Sequence, residues 1–248
     1  MRIGEDYPKI EWEFAGLNLL EPNAVIGDTV IFIVSLYCYY RIQKSHPFYK
    51  NWSLFYLFLG SSFLTGGLGH LLFDYFGLLG KSFSWLLGIV ATYYVEQAML
   101  VFWPKEQQRM RFKQVSKIKM GAFLTFEIML LLSMKADQDA ALGLLLPTVN
   151  SILGLGLCLG GVAYYYHRNI HRDFRFFWYG SLVLLPNAVI QGLKLNLDRW
   201  FDRNDLSHSL FIFGILLYYL GLKKLSKLKD YLPIDTGRER LDTNRLVS

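Results

Sequence analysis

Apolar residues run along this chain in long blocks, separated by short stretches rich in lysine and arginine. The blocks predict seven helices near bilayer-spanning length, over residues 24–40, 54–76, 83–103, 120–134, 142–166, 176–194 and 206–222. The fourth is short and draws on its flanks for length. The predicted class is therefore all-α: a multi-pass integral membrane protein folded as a seven-transmembrane helix bundle. Residues 1–23 precede it as an extracytoplasmic N-terminal segment, residues 24–226 form the bundle, and 227–248 form a polar tail.

The polar breaks sort by charge. One set carries Arg41, Lys44 and Lys50, then Lys105 to Lys119, then Arg168, Arg172 and Arg175, then Lys223 and Lys224. The alternate set carries Glu5, Asp6, Glu11, Glu13, Asp137, Asp139, Asp198, Asp202 and Asp205, with fewer cations. Positive loops stay inside, so the N-terminus is predicted outside and the C-terminus cytoplasmic. That alternation needs an odd number of spans. The pentapeptide PNAVI occurs at 22–26 and again at 186–190. Its flanks do not align and its offset pairs span one with span six, so it reads as coincidence and not as a three-plus-three repeat.

Composition agrees with a bilayer. The 248 residues are 53% hydrophobic, and the mean hydropathy is +0.25. The formal charge of +6 belongs to the cytoplasmic loops, and nucleic acid is not an expected partner. Cys38 and Cys158 both lie in apolar runs, which excludes a disulfide scaffold. Residues 1–18 are charged and lack the apolar core of a cleavable signal. Aromatics such as Tyr37, Tyr39, Tyr40 and Tyr164 to Tyr166 suit an interfacial belt at the inner face.

Against that background GGLGHLLFDYFG, Gly66–Gly77, stands out. An intramembrane His or Asp is costly unless it has a use or a partner. Ser62, Gly66, His70 and Asp74 are spaced i, i+4, which predicts one stripe on one face of span two. Other spans bring polar groups to the same outer level: Glu21, Asn23 and Asp28 on span one, Asn187 and Gln191 on span six, and Asp205, His208 and Ser209 on span seven. His46, His167 and His171 fall in basic loops and read as interfacial residues. Glu96 lies near the cytoplasmic end of span three, where pairing with Lys105 or snorkelling is expected, and Glu127 has no obvious partner.

Short pieces of the chain resemble a known superfamily. SHSLF at 207–211 resembles the S-H-Q-x-F-H signature of progestin and adiponectin receptors, and FDYFG at 73–77 resembles their D-Y-x-G. NLDRWFD at 196–202 is similar to the N-x-D-x-x-F-C stretch of alkaline ceramidases, and EPN at 21–23 to the E-x-N of their calcium site. Both groups belong to one superfamily of seven-helix, hydrolase-like membrane proteins that bind zinc through one His on helix two and two on helix seven. The resemblance implies His70 and His208 as zinc ligands, with Asp74 as a catalytic assistant; from the residues themselves, Asp74 or Asp205 could complete a three-ligand set, and Ser62 is a further catalytic candidate on the His70 stripe. The resemblance also implies a cation site, with calcium as its ion, at Glu21, Asn23 and Asp198. The chain departs from the pattern at Ile212, where the family has its third His, and at Gly66, where it has Ser.

Two readings of function follow. In one, the polar site is that of a zinc-dependent hydrolase of lipid amides such as ceramides, with a metal-bound water as nucleophile. In the other, the protein binds a membrane lipid or other ligand without catalysis, with Asn187, Gln191 and Asp28 as binding residues and a polar cluster that is otherwise structural. Membrane lipids are the expected partners in both. Proton or ion conduction ranks last, because the charged groups gather in the outer half.

Overall fold

In the computed structural model, residues 1–133 and 140–226 are described. The end of the fourth expected span, the acidic pair Asp137 and Asp139, and the tail 227–248 lie outside them.

The chain opens with a feature that its sequence did not announce, an antiparallel hairpin of β1 (Glu11–Phe14) and β2 (Leu17–Leu20). Its turn, Ala15 and Gly16, has φ of 51° and 77°. Two consecutive left-handed residues form the tight turn whose twist matches paired strands. Helix α1 (Pro22–Arg41) follows, then α2 (Pro47–Leu71) and α3 (Phe73–Met99), which one 3₁₀ turn extends to Phe102. Helix α4 is Glu106–Ser133 and α5 is Ala140–Leu155. A π-helical stretch, Gly156–Val162, carries α5 into α6 (Ala163–Asn169). The last helices are α7 (Arg175–Leu184), α8 (Pro186–Gly192) and α9 (Arg203–Ser226).

Local chemistry sets several of these boundaries. His46 caps α2, its Nδ1 accepting from the Phe48 N–H at 3.2 Å. Pro47 fills the first helical position, where an N–H would have no partner. Both PNAVI copies place their proline in the same way, at the start of α1 and of α8. Pro186 has no N–H to offer the Leu182 carbonyl, which takes the Leu185 N–H instead at 3.2 Å. The sixth expected span is thereby split into α7 and α8.

Among the described residues, five helices are long and apolar enough to cross a membrane: Pro22–Arg41, Pro47–Leu71, Phe73–Phe102, Leu142–Asn169 and Arg203–Ser226. The fourth expected span forms the second half of α4, whose first half is basic. From Met120 onward α4 offers fewer than the roughly 20 apolar residues of a full span.

The boundary between spans two and three differs most from expectation. Helix α2 ends at Leu71, Leu72 turns the chain (φ −103°, ψ 25°), and Phe73 already starts α3. Gly77, at φ 53°, then kinks α3 one turn in. Asp74 consequently leaves the His70 stripe and sits on the following element. Beside the turn the α2 and α3 backbones meet directly: a β-carbon on Gly69 would lie 2.6 Å from the Gly80 carbonyl oxygen.

The large side chains collect at the end of the bundle away from this turn. Phe48, Trp52, Phe55, Phe102, Phe174 and Phe177 are buried together, with Trp52 stacked on Phe177 at 4.9 Å. Tyr56 donates its hydroxyl to the Ile215 carbonyl, and Tyr166 donates to that of Met99, each at 2.7 Å. Aromatic packing thus closes one half of the bundle, and the other half holds the polar groups.

The Gly69–Gly80 approach makes a direct test. Gly69→Ala is expected to destabilise the bundle by about 2 kcal/mol, the scale for overpacking a tight contact. Gly121→Ala, where a β-carbon meets nothing within 4 Å, should be neutral. Thermal unfolding of the two purified variants checks this, and equal melting temperatures would refute it.

Candidate functional site

A cavity of about 880 Å³ occupies the half of the bundle next to the hairpin. Its wall is divided. Phe55, Leu59, Phe63, Leu144, Leu155 and Phe211 form an apolar floor, and Glu21, Asp28, His70, Asn187, Gln191 and His208 stand among its polar groups.

Each expected histidine is there, paired with a carboxylate other than the expected one. His70 Nδ1 lies 2.7 Å from Glu21 Oε2. Asp74, its expected neighbour, instead accepts from the Asn18 side chain at 2.7 Å, outside the cavity. The reason is the turn at Leu72, which carries Asp74 off α2. His208 Nε2 lies 3.3 Å from Asp28 Oδ1. Asp205, the expected carboxylate on the same helix, accepts from Asn23 Nδ2 at 3.0 Å and from the Asp202 N–H at 3.1 Å.

The remaining candidates divide in the same way. Ser62 lines the cavity, but its hydroxyl donates to the Ser84 carbonyl at 2.7 Å, tying α2 to α3. Gln191 Nε2 donates to Ser207 Oγ at 3.0 Å and holds α8 against α9. Asn187 Oδ1 is buried without a donor. Asp198 accepts from the Trp200 N–H at 3.0 Å within its own loop. Glu21, Asn23 and Asp198 each have a different partner, and of the three Glu21 and Asn23 line the cavity while Asp198 is not among its lining residues. Glu96 is buried between Lys119 and Ser116, and Lys105 is not its partner. Glu127 is buried with no hydrogen-bond partner among the described residues.

The zinc that the resemblance implies needs three converging donors. Among the described residues no three His, Cys, Asp or Glu side chains are grouped to hold a metal ion. Glu21 occupies His70 Nδ1, and His208 Nδ1 lies against Gly27, where an added β-carbon would stand 2.6 Å away. The interactions that the geometry shows at the two histidines are those of imidazole–carboxylate pairs.

Three elements of the site were not singled out in the sequence. An N-terminal strap, residues 2–10, crosses the mouth. Arg2 and Asn196 exchange backbone hydrogen bonds at 2.7 and 3.0 Å, Asn196 Nδ2 donates to the Glu5 carbonyl at 2.9 Å, and Arg203 pairs with Asp6 at 3.2 Å. Lys9 from the strap reaches Glu21 at 3.4 Å. Lys81 on α3 stands at the same end, its ammonium 4.9 Å from the Phe73 ring that Lys9 approaches from 5.3 Å. A lone lysine at the acidic, outer end of an apolar block was the available signal for Lys81.

These cations explain the state of Glu21. Burial pushes its carboxyl up, but the hydrogen bond from His70 and the charges of His70, Lys9 and Lys81 outweigh it, holding the group down at about 2. Asp202 is moved the other way. Its burial, helped by the Asp205 charge, exceeds the effect of the Asn204 and Asp205 backbone donors and raises it above the usual carboxylate range.

The model of a family of unknown function (DUF6962) matches residues 24–227. The chain belongs to that family. The matched stretch runs from α1 through α9 and includes Asp28, His70, Asn187, Asp205 and His208. The hairpin, the strap and Glu21 precede it. No curated protein matches the chain, and neither does any solved structure.

A carboxylate whose folded value is depressed stabilises the fold above its unfolded value, and the gain is lost as pH falls through the folded one. For Glu21 that window runs from 4.5 down to about 2. Glu21→Gln should cost about 2 kcal/mol at neutral pH, the scale of a charge-assisted hydrogen bond. The deficit relative to wild type should shrink as pH falls through the window. Paired thermal melts across that range check it, and a deficit independent of pH would refute it.

Proposed function

We propose that this protein is a seven-span membrane protein, N-terminus outside and C-terminus cytoplasmic, whose outer-half cavity binds a membrane amphiphile. The composition of the cavity wall carries this reading. An apolar floor beneath a rim of carboxylates, imidazoles and amides matches a molecule with a hydrocarbon chain and a polar head. About 880 Å³ is in the range of pockets that enclose small ligands.

Access supports the same class of ligand. The strap and its ion pairs cover the aqueous mouth. At the side, α5 packs on α3 and α4, while α8 packs on α9 and α7, with no comparable contact joining α5 to α8 or α9 among the described residues. Exposed Ile152 on α5 and Val189 on α8 flank that gap. A ligand entering there comes from the bilayer.

The expected orientation rests on the basic loops. In a background with Cys38 and Cys158 replaced, Glu13→Cys should label with an impermeant thiol reagent on intact cells, and Lys117→Cys only after lysis. The reverse pattern would overturn the orientation.

Binding is tested with a lysophospholipid carrying a photoactivatable acyl chain, crosslinked to the purified protein in bilayer discs. Label is expected on floor residues such as Leu59, Phe63 and Leu144, with competition by unlabelled lipid. Thr148→Trp, at the cavity margin, should cut that labelling several-fold. Label confined to outward residues such as Ile26 and Ile33, and not competed, would refute the reading.

A second reading is favoured by one observation, the two imidazole–carboxylate pairs on the cavity wall. That is the composition of a general base beside a lipid-sized space. It predicts fatty-acid release from a lipid amide such as a ceramide, lost in His208→Ala. Release that stops on chelation and returns with zinc would add the metal dependence that the resemblance implies.

A further inference from the structure

The cavity is short of hydrogen-bond donors on one side. Asp28 is only 5% exposed, and it lines the cavity. Its one partner among the described residues is His208, whose other ring nitrogen is turned against Gly27. Asn187 Oδ1, in a residue that lines the same cavity, is buried with no donor among the described residues. A buried acceptor without a donor costs about 1–3 kcal/mol, so both groups call for one.

Three of the protein's own donors at the cavity are committed elsewhere. Gln191 serves Ser207, Asn23 serves Asp205, and Arg203 is drawn to Asp6. Lys9 and Lys81 stand at the Glu21 end, around the Phe73 ring. No lysine or arginine pairs with Asp28, Asp202 or Asp205 among the described residues. The cavity therefore combines carboxyl groups that lack a lysine or arginine, and so can take a cation's charge, with unmatched acceptors. A quaternary cation would answer the charge alone, and a hydroxyl the acceptors alone. A primary ammonium, with one charge and three N–H donors, answers both.

We propose that the amphiphile is held by a primary ammonium head group, bound between the Asp28 carboxylate and the Asn187 side-chain carbonyl. This rests on the amphiphile-binding reading above and names the head group for the same cavity. In the bound state the His208 ring stays on Asp28 Oδ1 and orients the carboxylate. The hydrocarbon chain lies over Phe63 and Leu59.

The test uses the full chain in phosphatidylcholine discs with four probes of equal chain length: dodecylamine, dodecyltrimethylammonium, dodecanol and dodecanoate. Each is titrated against the melting temperature and by native mass spectrometry. Dodecylamine is expected to stabilise saturably and to bind at least about tenfold tighter than the other three, a difference of about 1.4 kcal/mol. Asp28→Asn should erase that preference. Asn187→Leu, away from the histidine pairs, should weaken dodecylamine several-fold while leaving dodecyltrimethylammonium, which has no N–H to donate, unchanged, and it keeps the test open if Asp28→Asn does not fold. Equal binding of dodecylamine and dodecyltrimethylammonium would overturn the proposal, as would a preference that survives both substitutions. If none of the four binds, the amphiphile reading itself fails. If all four bind alike, that reading stands and only the head group is wrong.

Discussion

A charged carboxylate buried in an apolar helix bundle needs a partner, because an uncompensated charge there costs several kcal/mol; of the buried carboxyl groups named above, Glu127 has none among the described residues. In this protein that requirement stitches the helices together. Glu21, at the start of α1, meets His70 near the end of α2. Asp28 on α1 meets His208 on α9, and Asn23 on α1 meets Asp205 on α9. Glu96 on α3 meets Lys119 on α4. Three of these four links converge on the first two turns of α1, which makes that short stretch the hub of the polar half.

Side-chain size decides why that half is hollow. Helix α2 carries its aromatics in its first turns, with Phe48, Trp52, Phe55 and Tyr56 all buried. Its later turns hold Ser61, Ser62, Gly66, Gly67 and Gly69. Large rings fill one end of the bundle to the density of a protein interior. Small residues at the other end leave space where helices diverge, and let backbones touch where they converge, as at Gly69 and Gly80. The same sequence gradient builds the closed end and the cavity.

The N-terminal strap makes the cavity a chamber. Its links to the segment before α9 run through Asn196, Arg199 and Arg203. Its link to the site runs through Lys9 and Glu21. A carboxylate held charged at the rim thus bonds both to the strap and to a cavity imidazole. Events at His70 and the position of the strap are mechanically connected through one side chain.

Much of this was legible in the chain. Long apolar blocks need long helices, and intramembrane polar residues need company, so that His70 and His208 would find polar partners followed from one-dimensional pattern. Asp28, Asn187 and Gln191 were found the same way. The pairings were not legible. Whether His208 meets Asp205 on its own helix or Asp28 on another depends on how α1 and α9 are rotated about their axes, which no local spacing encodes. Asp74 was misplaced because nothing at Leu72 marks a turn. The glycine that kinks the chain comes five residues later, and the backbone contact of Gly69 with Gly80 exists only once two helices have met. The hairpin hid in a polar segment whose strands bury little of themselves. Sequence alone determined the long apolar helices and which polar residues among them need a partner. Tertiary structure decided which of them meet, because partner choice is a property of helix rotation and approach.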